Sequence, residues 1–163
     1  MKTFFLSILL CGYAAVQVAA QCQTLTLPFG QVFADTSRGR KMVPTRDGHF
    51  VIAGDWNNQA FLLKIDAQGQ QVAFQRYGTA IGGQSSAFYD LVETTDGGFV
   101  AIGECRLCNL PADSLTKVVV LKVDSNLGLN TTIGVKKLGG IGTSLNERFS
   151  PRIASKGDGF MLA

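Results

Sequence analysis

The chain has 163 residues, with 15 basic and 12 acidic side chains and a formal net charge of +3. This length suits one domain. A charge this close to neutral, with no long basic track interleaved with aromatic rings, argues against a nucleic-acid groove.

Residues 1–20 have the pattern of a cleaved signal peptide. A single positive charge at Lys2 precedes an apolar run from Phe4 to Val16, and the small residues 18–20 follow where a signal peptidase cuts. The run is shorter than the ~20 apolar residues that a membrane anchor needs. We therefore expect a secreted or cell-surface protein that begins at Gln21, with no stable membrane insertion after cleavage.

Two phrases then recur along the chain. The first, at 45–54, 94–103 and 155–163, places an Asp-Gly pair shortly before a phenylalanine and a short apolar run. Asp-Gly between β-prone segments is a strong hairpin signal, because glycine takes a positive φ at little cost. The second phrase, apolar-Lys-apolar-Asp followed by a glycine, occupies 61–69 and 119–128 and predicts a further tight turn.

Together the two phrases predict a four-stranded meander. In the first copy we expect strands at 40–44, 49–54, 60–65 and 70–77. Their short apolar runs suit strands that are covered on both faces by neighbouring sheets. The predicted fold class is all-β, with antiparallel four-stranded meander modules that form a partial β-propeller of about two and a half blades.

The spacing of the phrases divides the mature chain, 21–163, into successive units. These are a leading strand at 24–30, blade one at 40–78, blade two at 87–139 and a truncated blade three at 148–163. Propellers usually have about four to eight blades. We therefore expect the N-terminal fragment of a larger repeat protein, in which the leading strand completes a blade built by the other terminus.

Blade two carries an insertion that holds Cys105 and Cys108. The distance from the closing glycine to the lysine of the second phrase grows from 10 residues in blade one to 19 in blade two. A C-x-x-C pair fits a loop disulfide, a redox pair or half of a metal site, and His49 is the only histidine that could help complete the last. We expect a disulfide, with free thiols as the alternative, and Cys22 left over.

Few residues suggest chemistry beyond turns and core. Trp56, Asn57 and Asn58 fall in a loop of blade one, where an aromatic ring beside amides can stack on a sugar. The alternative for Trp56 is a rim contact between blades. His49 has no acid or nucleophile tied to it by motif, so we expect a polar strand residue rather than a general base. The recurring aspartates are assigned to turns, and no catalytic residue, cofactor or metal site is predicted.

The phrases resemble the T-x-D-G-G-[FY] and K-x-D-x-x-G repeats of large exported bacterial proteins, many of which end in a type IX secretion sorting domain. Residues 94–103 with 121–124, and 45–54 with 63–66, carry the resemblance, which covers most of 24–163. His49 in place of the second glycine and the cysteine insertion depart from it. The resemblance implies a β-propeller-like fold and an exported scaffold or adhesion-type protein, without a shared catalytic set.

Two functions from different classes follow. The first is an exported, non-enzymatic scaffold or binding and adhesion module, whose unknown ligand, a glycan or a protein, binds at loops such as 105–116. The second is the propeller portion of a secreted enzyme, for instance a glycan hydrolase or a quinone-dependent oxidoreductase, with catalytic residues outside this fragment.

Overall fold

The computed structural model describes residues 36–108, 116–141, 151–156 and 159–163. The predicted signal peptide at 1–20, the leading strand at 24–30 and Cys22 lie outside these residues. Within them, strands dominate and follow the chain as consecutive antiparallel neighbours.

Two four-stranded sheets and a hairpin make up the described fold. The first module contains β1 (Ser37–Pro44), β2 (Phe50–Trp56), β3 (Gln59–Ile65) and β4 (Gln71–Arg76). The second contains β5 (Ser85–Glu93), β6 (Phe99–Arg106), β7 (Thr116–Val123) and β8 (Val135–Ile141). The hairpin pairs β9 (Ile153–Lys156) with β10 (Gly159–Leu162). The predicted all-β class and its antiparallel four-stranded meanders are confirmed.

Two local features differ from the expectation. The first strand begins at Ser37 rather than at residue 40, because its hairpin with β2 continues to the pair Ser37–Trp56. A four-residue helix, α1 (Gly78–Ile81), stands where no helix was expected. It links β4 to β5, and its last residue, Ile81, is buried in the core between the two modules.

The modules stack through their first strands. β5 packs against β1, β2 and β3 of the first module and also contacts β9. Leu62, Phe88, Leu91 and Leu121 belong to the main core cluster, which draws on both sheets. A further cluster, which includes Ile102 and Ile153, joins the second module to the hairpin. The first strand of the second module thus makes contacts to the modules on both sides of it.

A β-bulge at the same point of both modules explains the glycine that closes the first phrase. β1 and β5 each bulge at an equivalent residue, Arg40 and Tyr89. Gly54 and Gly103 lie opposite these bulges on the second strands. A Cβ on either glycine would overlap a backbone carbonyl oxygen of the first strand. Only glycine therefore allows the two backbones to approach this closely.

The meander sorts its connections between two ends of the sheets, because successive antiparallel strands reverse direction. One end carries the turns of both repeated phrases, at 45–49, 66–70, 94–98 and 124–128; we call it the repeat end. The other carries the turn at 57–58, the connection at 77–84 and the cysteine segment 105–108; we call it the variable end. The asparagine turn, the helix α1 and the cysteine segment thus lie at the same end.

Candidate functional site

At the repeat end of the second module, the two phrases meet in a cluster of a lysine, an aspartate and a threonine. Lys122 Nζ lies 2.9 Å from Asp96 Oδ1 and donates to Thr94 Oγ1 at 2.7 Å. Thr94 in turn donates a hydrogen bond to Asp96. These bonds from Thr94 and Lys122 hold the pKa of Asp96 well below its usual range. The lysine side chain is only 7% exposed, so this carboxylate balances a buried charge.

The first module repeats the cluster with one change. Lys64 Nζ lies 2.7 Å from Asp47 Oδ2, and Thr45 donates to the same carboxylate. His49 replaces the second glycine and places its Nδ1 3.1 Å from Asp47 Oδ1. Lys64 also donates to the backbone oxygen of Ser125 at 3.2 Å, and so binds a turn of the second module.

The aspartates of the second phrase close their own turns. Asp66 Oδ1 accepts hydrogen bonds from the amides of Gln68 at 2.9 Å and Gln70 at 2.7 Å. Asp124 Oδ1 accepts two equivalent bonds, both of 2.8 Å, in the second module. The residues that recur in the sequence are therefore engaged in turn and strand geometry, which leaves the variable end as the candidate site.

An amide-rich cleft of about 350 Å³ lies at the variable end. It is lined by the polar residues Asn57, Asn58, Gln59, Thr79, Gln84 and Ser86 and by the glycines Gly78, Gly82 and Gly83. Asn57 and Asn58 form a two-residue hairpin turn with φ of 48° and 61°, a conformation that asparagine tolerates better than most residues. Apart from the glycines, all of the residues that line this cleft are uncharged and polar.

Ser86 anchors the cleft between the two modules. Its amide donates to the Asn58 oxygen at 2.8 Å, and its Oγ accepts from the Ala60 amide at 3.0 Å. The asparagine turn of the first module is thus fixed to the first strand of the second. The shape of the cleft depends on both modules together.

Trp56 is separated from its two neighbours in the predicted ligand loop. Its ring packs against Phe74, with 5.6 Å between the centroids, and the Arg76 guanidinium lies 4.7 Å above it. It belongs to a cluster on one face of the first sheet, because side chains alternate along a strand. Of the three predicted residues, the structure places Asn57 and Asn58 in the amide-rich cleft, and Trp56 is not among its lining residues.

A second cleft, of about 210 Å³, adjoins the first and shares Asn58 and Ser86 with it. We call it the Arg40 cleft. Its other lining residues are Thr36, Arg38, Arg40, Asp55, Ser85, Ala87 and Glu104. The two clefts form one continuous polar surface over the junction of the modules.

The cysteine segment borders this surface. The structure joins Cys105 and Cys108 in a disulfide with Cα atoms 5.9 Å apart. The backbone oxygen of Cys108 accepts a hydrogen bond from Lys137 Nζ at 2.8 Å. The backbone oxygen of Arg106 accepts one from the backbone N–H of Gln84 at 3.1 Å. The disulfide therefore lies next to the connection that supplies one wall of the amide-rich cleft.

No protein-family model, curated protein or solved structure matches this chain. Among the described residues, no helix is long and apolar enough to cross a membrane. The same residues contain no group of three or more histidine, cysteine, aspartate or glutamate side chains that could hold a metal ion. The chemistry that the variable end offers is hydrogen bonding by amides, hydroxyls and paired charges.

Proposed function

We propose that this chain is an exported, non-enzymatic binding module that takes a glycan or protein ligand at its variable end. The observation that carries the proposal is the polar surface over the junction of the modules. Export is supported by the signal-peptide pattern of residues 1–20. The stacked meanders serve as the rigid support, in keeping with a scaffold or adhesion protein built from propeller blades.

The amide-rich cleft has the chemistry of a polar recognition site. An amide side chain offers two donors and an acceptor, and a hydroxyl offers both functions. Gln84 and Thr79 are exposed, and among the described residues their side chains make no hydrogen bond that a ligand would have to displace. A ligand that presents several hydroxyl or peptide groups can therefore pair with them directly.

The double substitution Gln84→Ala and Thr79→Ala tests this proposal. We expect it to weaken binding of a glycan identified on a defined oligosaccharide array by about tenfold, because two hydrogen bonds of about 0.5–1.5 kcal/mol each are lost. Isothermal titration of the purified chain measures the change. The melting temperature should stay within a degree or two of the wild type, since both side chains are exposed.

Gln68→Ala is the matched control. Gln68 also has an exposed side-chain amide but lies at the repeat end, where its backbone amide donates to Asp66 Oδ1. The Gln68→Ala variant should bind the glycan with the same affinity as the wild type. Equal affinities for the control and the double variant would contradict the proposal, and hydrolysis of the bound glycan by the chain itself would contradict a non-enzymatic role.

A further inference from the structure

Arg40 is held in the Arg40 cleft with part of its guanidinium free. Its Nε lies 2.8 Å from Asp55 Oδ1, and its Cζ lies 4.4 Å from the centroid of the Tyr89 ring. The carboxylate fixes one edge of the planar group and the ring covers one face. Within the described part of the chain, its two terminal nitrogens make no hydrogen bond, so they form an oriented pair of donors.

Glu104 supplies an oriented acceptor in the same cleft. The Tyr89 hydroxyl donates to Glu104 Oε1 at 2.5 Å. Burial, with Glu104 beside it, raises the pKa of Tyr89 far above its usual range, so the phenol keeps the proton that it donates. The bulges of β1 and β5 bring Arg40 and Tyr89 into contact, and the arrangement therefore depends on the stacking of the two modules.

The charges of the Arg40 cleft balance. Arg38 and Arg40 contribute two positive groups, and Asp55 and Glu104 contribute two negative groups. Thr36, Ser85 and Asn58 add hydroxyl and amide groups that both donate and accept. Because its net charge is zero, the cleft favours neither an anion nor a cation. Its mixture of donors and acceptors suits a ligand in which every polar group both donates and accepts hydrogen bonds, as a hydroxyl does.

We propose that the Arg40 cleft binds one sugar ring of a neutral glycan through two neighbouring hydroxyl groups. Arg40 donates from its terminal nitrogens to the hydroxyl oxygens, and the hydroxyls donate to Glu104. The cleft, at about 210 Å³, is smaller than the ~300–1,000 Å³ of typical ligand pockets, so it holds a single small unit. This inference rests on the proposed function and assigns its ligand class.

The test uses methyl glycosides of glucose, galactose and mannose, with glucuronic acid as the charged comparison, in titrations of the full chain. We expect at least one neutral glycoside to bind. Arg40→Lys should lower the affinity for that glycoside at least tenfold, because lysine keeps the positive charge but lacks the planar pair of donors. Glu104→Ala should weaken it similarly, and Glu104→Gln should restore part of the affinity, because its amide oxygen still accepts. Lys136→Ala, an exposed basic residue outside the cleft, should have no effect.

Melting temperatures distinguish a lost contact from a lost fold, and Arg40→Lys should melt close to the wild type. The inference is overturned if none of the neutral glycosides binds, if only glucuronic acid binds, or if Arg40→Lys and Glu104→Ala bind as tightly as the wild type. The proposed function survives those results if another glycan or a protein ligand still loses affinity in the Gln84→Ala and Thr79→Ala variant.

Discussion

Gly103→Ala is expected to destabilise the chain by about 3 kcal/mol, near the upper end of the usual cost of overpacking a core. The added Cβ would overlap the backbone carbonyl oxygen of Ala87. That atom belongs to β5, which packs against three strands of the first module and against β9, so it has little room to move. Gly54→Ala should be harmful for the same reason, since its Cβ would overlap the Arg38 oxygen. Urea unfolding followed by circular dichroism gives both values.

Gly97→Ala separates lack of space from backbone conformation. Gly97 has a φ of +79°, but apart from its own atoms and those of its two chain neighbours, no described atom lies within 4 Å of the position that a Cβ would take. Its substitution should therefore cost only about 1 kcal/mol, the usual penalty for a non-glycine residue at positive φ. If Gly97→Ala and Gly103→Ala lower the free energy of unfolding by equal amounts, the close approach of the backbones at the bulge is not the reason that glycine is required at position 103.

Removal of Asp96 is the second change with a large expected effect. Asp96→Ala leaves the ammonium of Lys122 buried without its carboxylate, and removing one partner of such a pair is more harmful than removing both. We expect a drop of several degrees in melting temperature for Asp96→Ala. The drop should be smaller for Lys122→Met, in which an apolar chain of similar length fills the site. The double variant Asp96→Ala with Lys122→Met should have nearly the same melting temperature as Lys122→Met alone.

The stabilising effect of Asp96 should depend on pH, in a direction that its lowered pKa sets. The folded state lowers the pKa of Asp96 below its ordinary value of about 3.9. Its contribution to stability is therefore complete above that value and declines as the pH falls towards the folded pKa. The difference in melting temperature between the wild type and Asp96→Ala should narrow below about pH 4. A gap that is constant with pH would contradict a charge-based role.

Local turn chemistry made much of the fold predictable. The Asp-Gly pair at 47–48 and the aspartate at position 66 mark turns through their own backbone and neighbouring amides. Such interactions depend on adjacent residues, so they can be read from a single sequence. The alternating phrases then imply the meander, because consecutive hairpins place consecutive strands side by side.

Contacts across the sheets were not predictable in the same way. The bulge at Arg40 and the pairing of Lys122 with Asp96 depend on strand register and on the distance between segments far apart in the chain. The only sequence signal for the role of the lysine is its recurrence in both copies of the second phrase, as Lys64 and Lys122. The sequence predicts Trp56, Asn57 and Asn58 as ligand residues together, but the direction of the Trp56 side chain depends on the alternation of side chains along β2.

His49 occupies in the first module the position that Gly98 occupies in the second, and the buried lysines of the two modules make different contacts. In the second module a Cβ at Gly98 would approach Lys122 Nζ and the Val123 oxygen, and Lys122 donates to that oxygen at 3.3 Å. In the first module Lys64 instead reaches the Ser125 oxygen of the next module. The exchange of one residue in the repeat thus accompanies a change from a contact within a module to one between modules.

The two sequence phrases build the same turns in both modules. Amide hydrogen exchange, measured residue by residue by NMR, tests this repetition of the turns most directly. Four turn-closing amides donate to backbone oxygens at 2.8–3.0 Å, in matching pairs: Thr45 with Thr94, and Asp66 with Asp124. We predict slow exchange at all four, with similar protection within each pair. Fast exchange at both amides of one module, with protection in the other, would contradict the repeated fold.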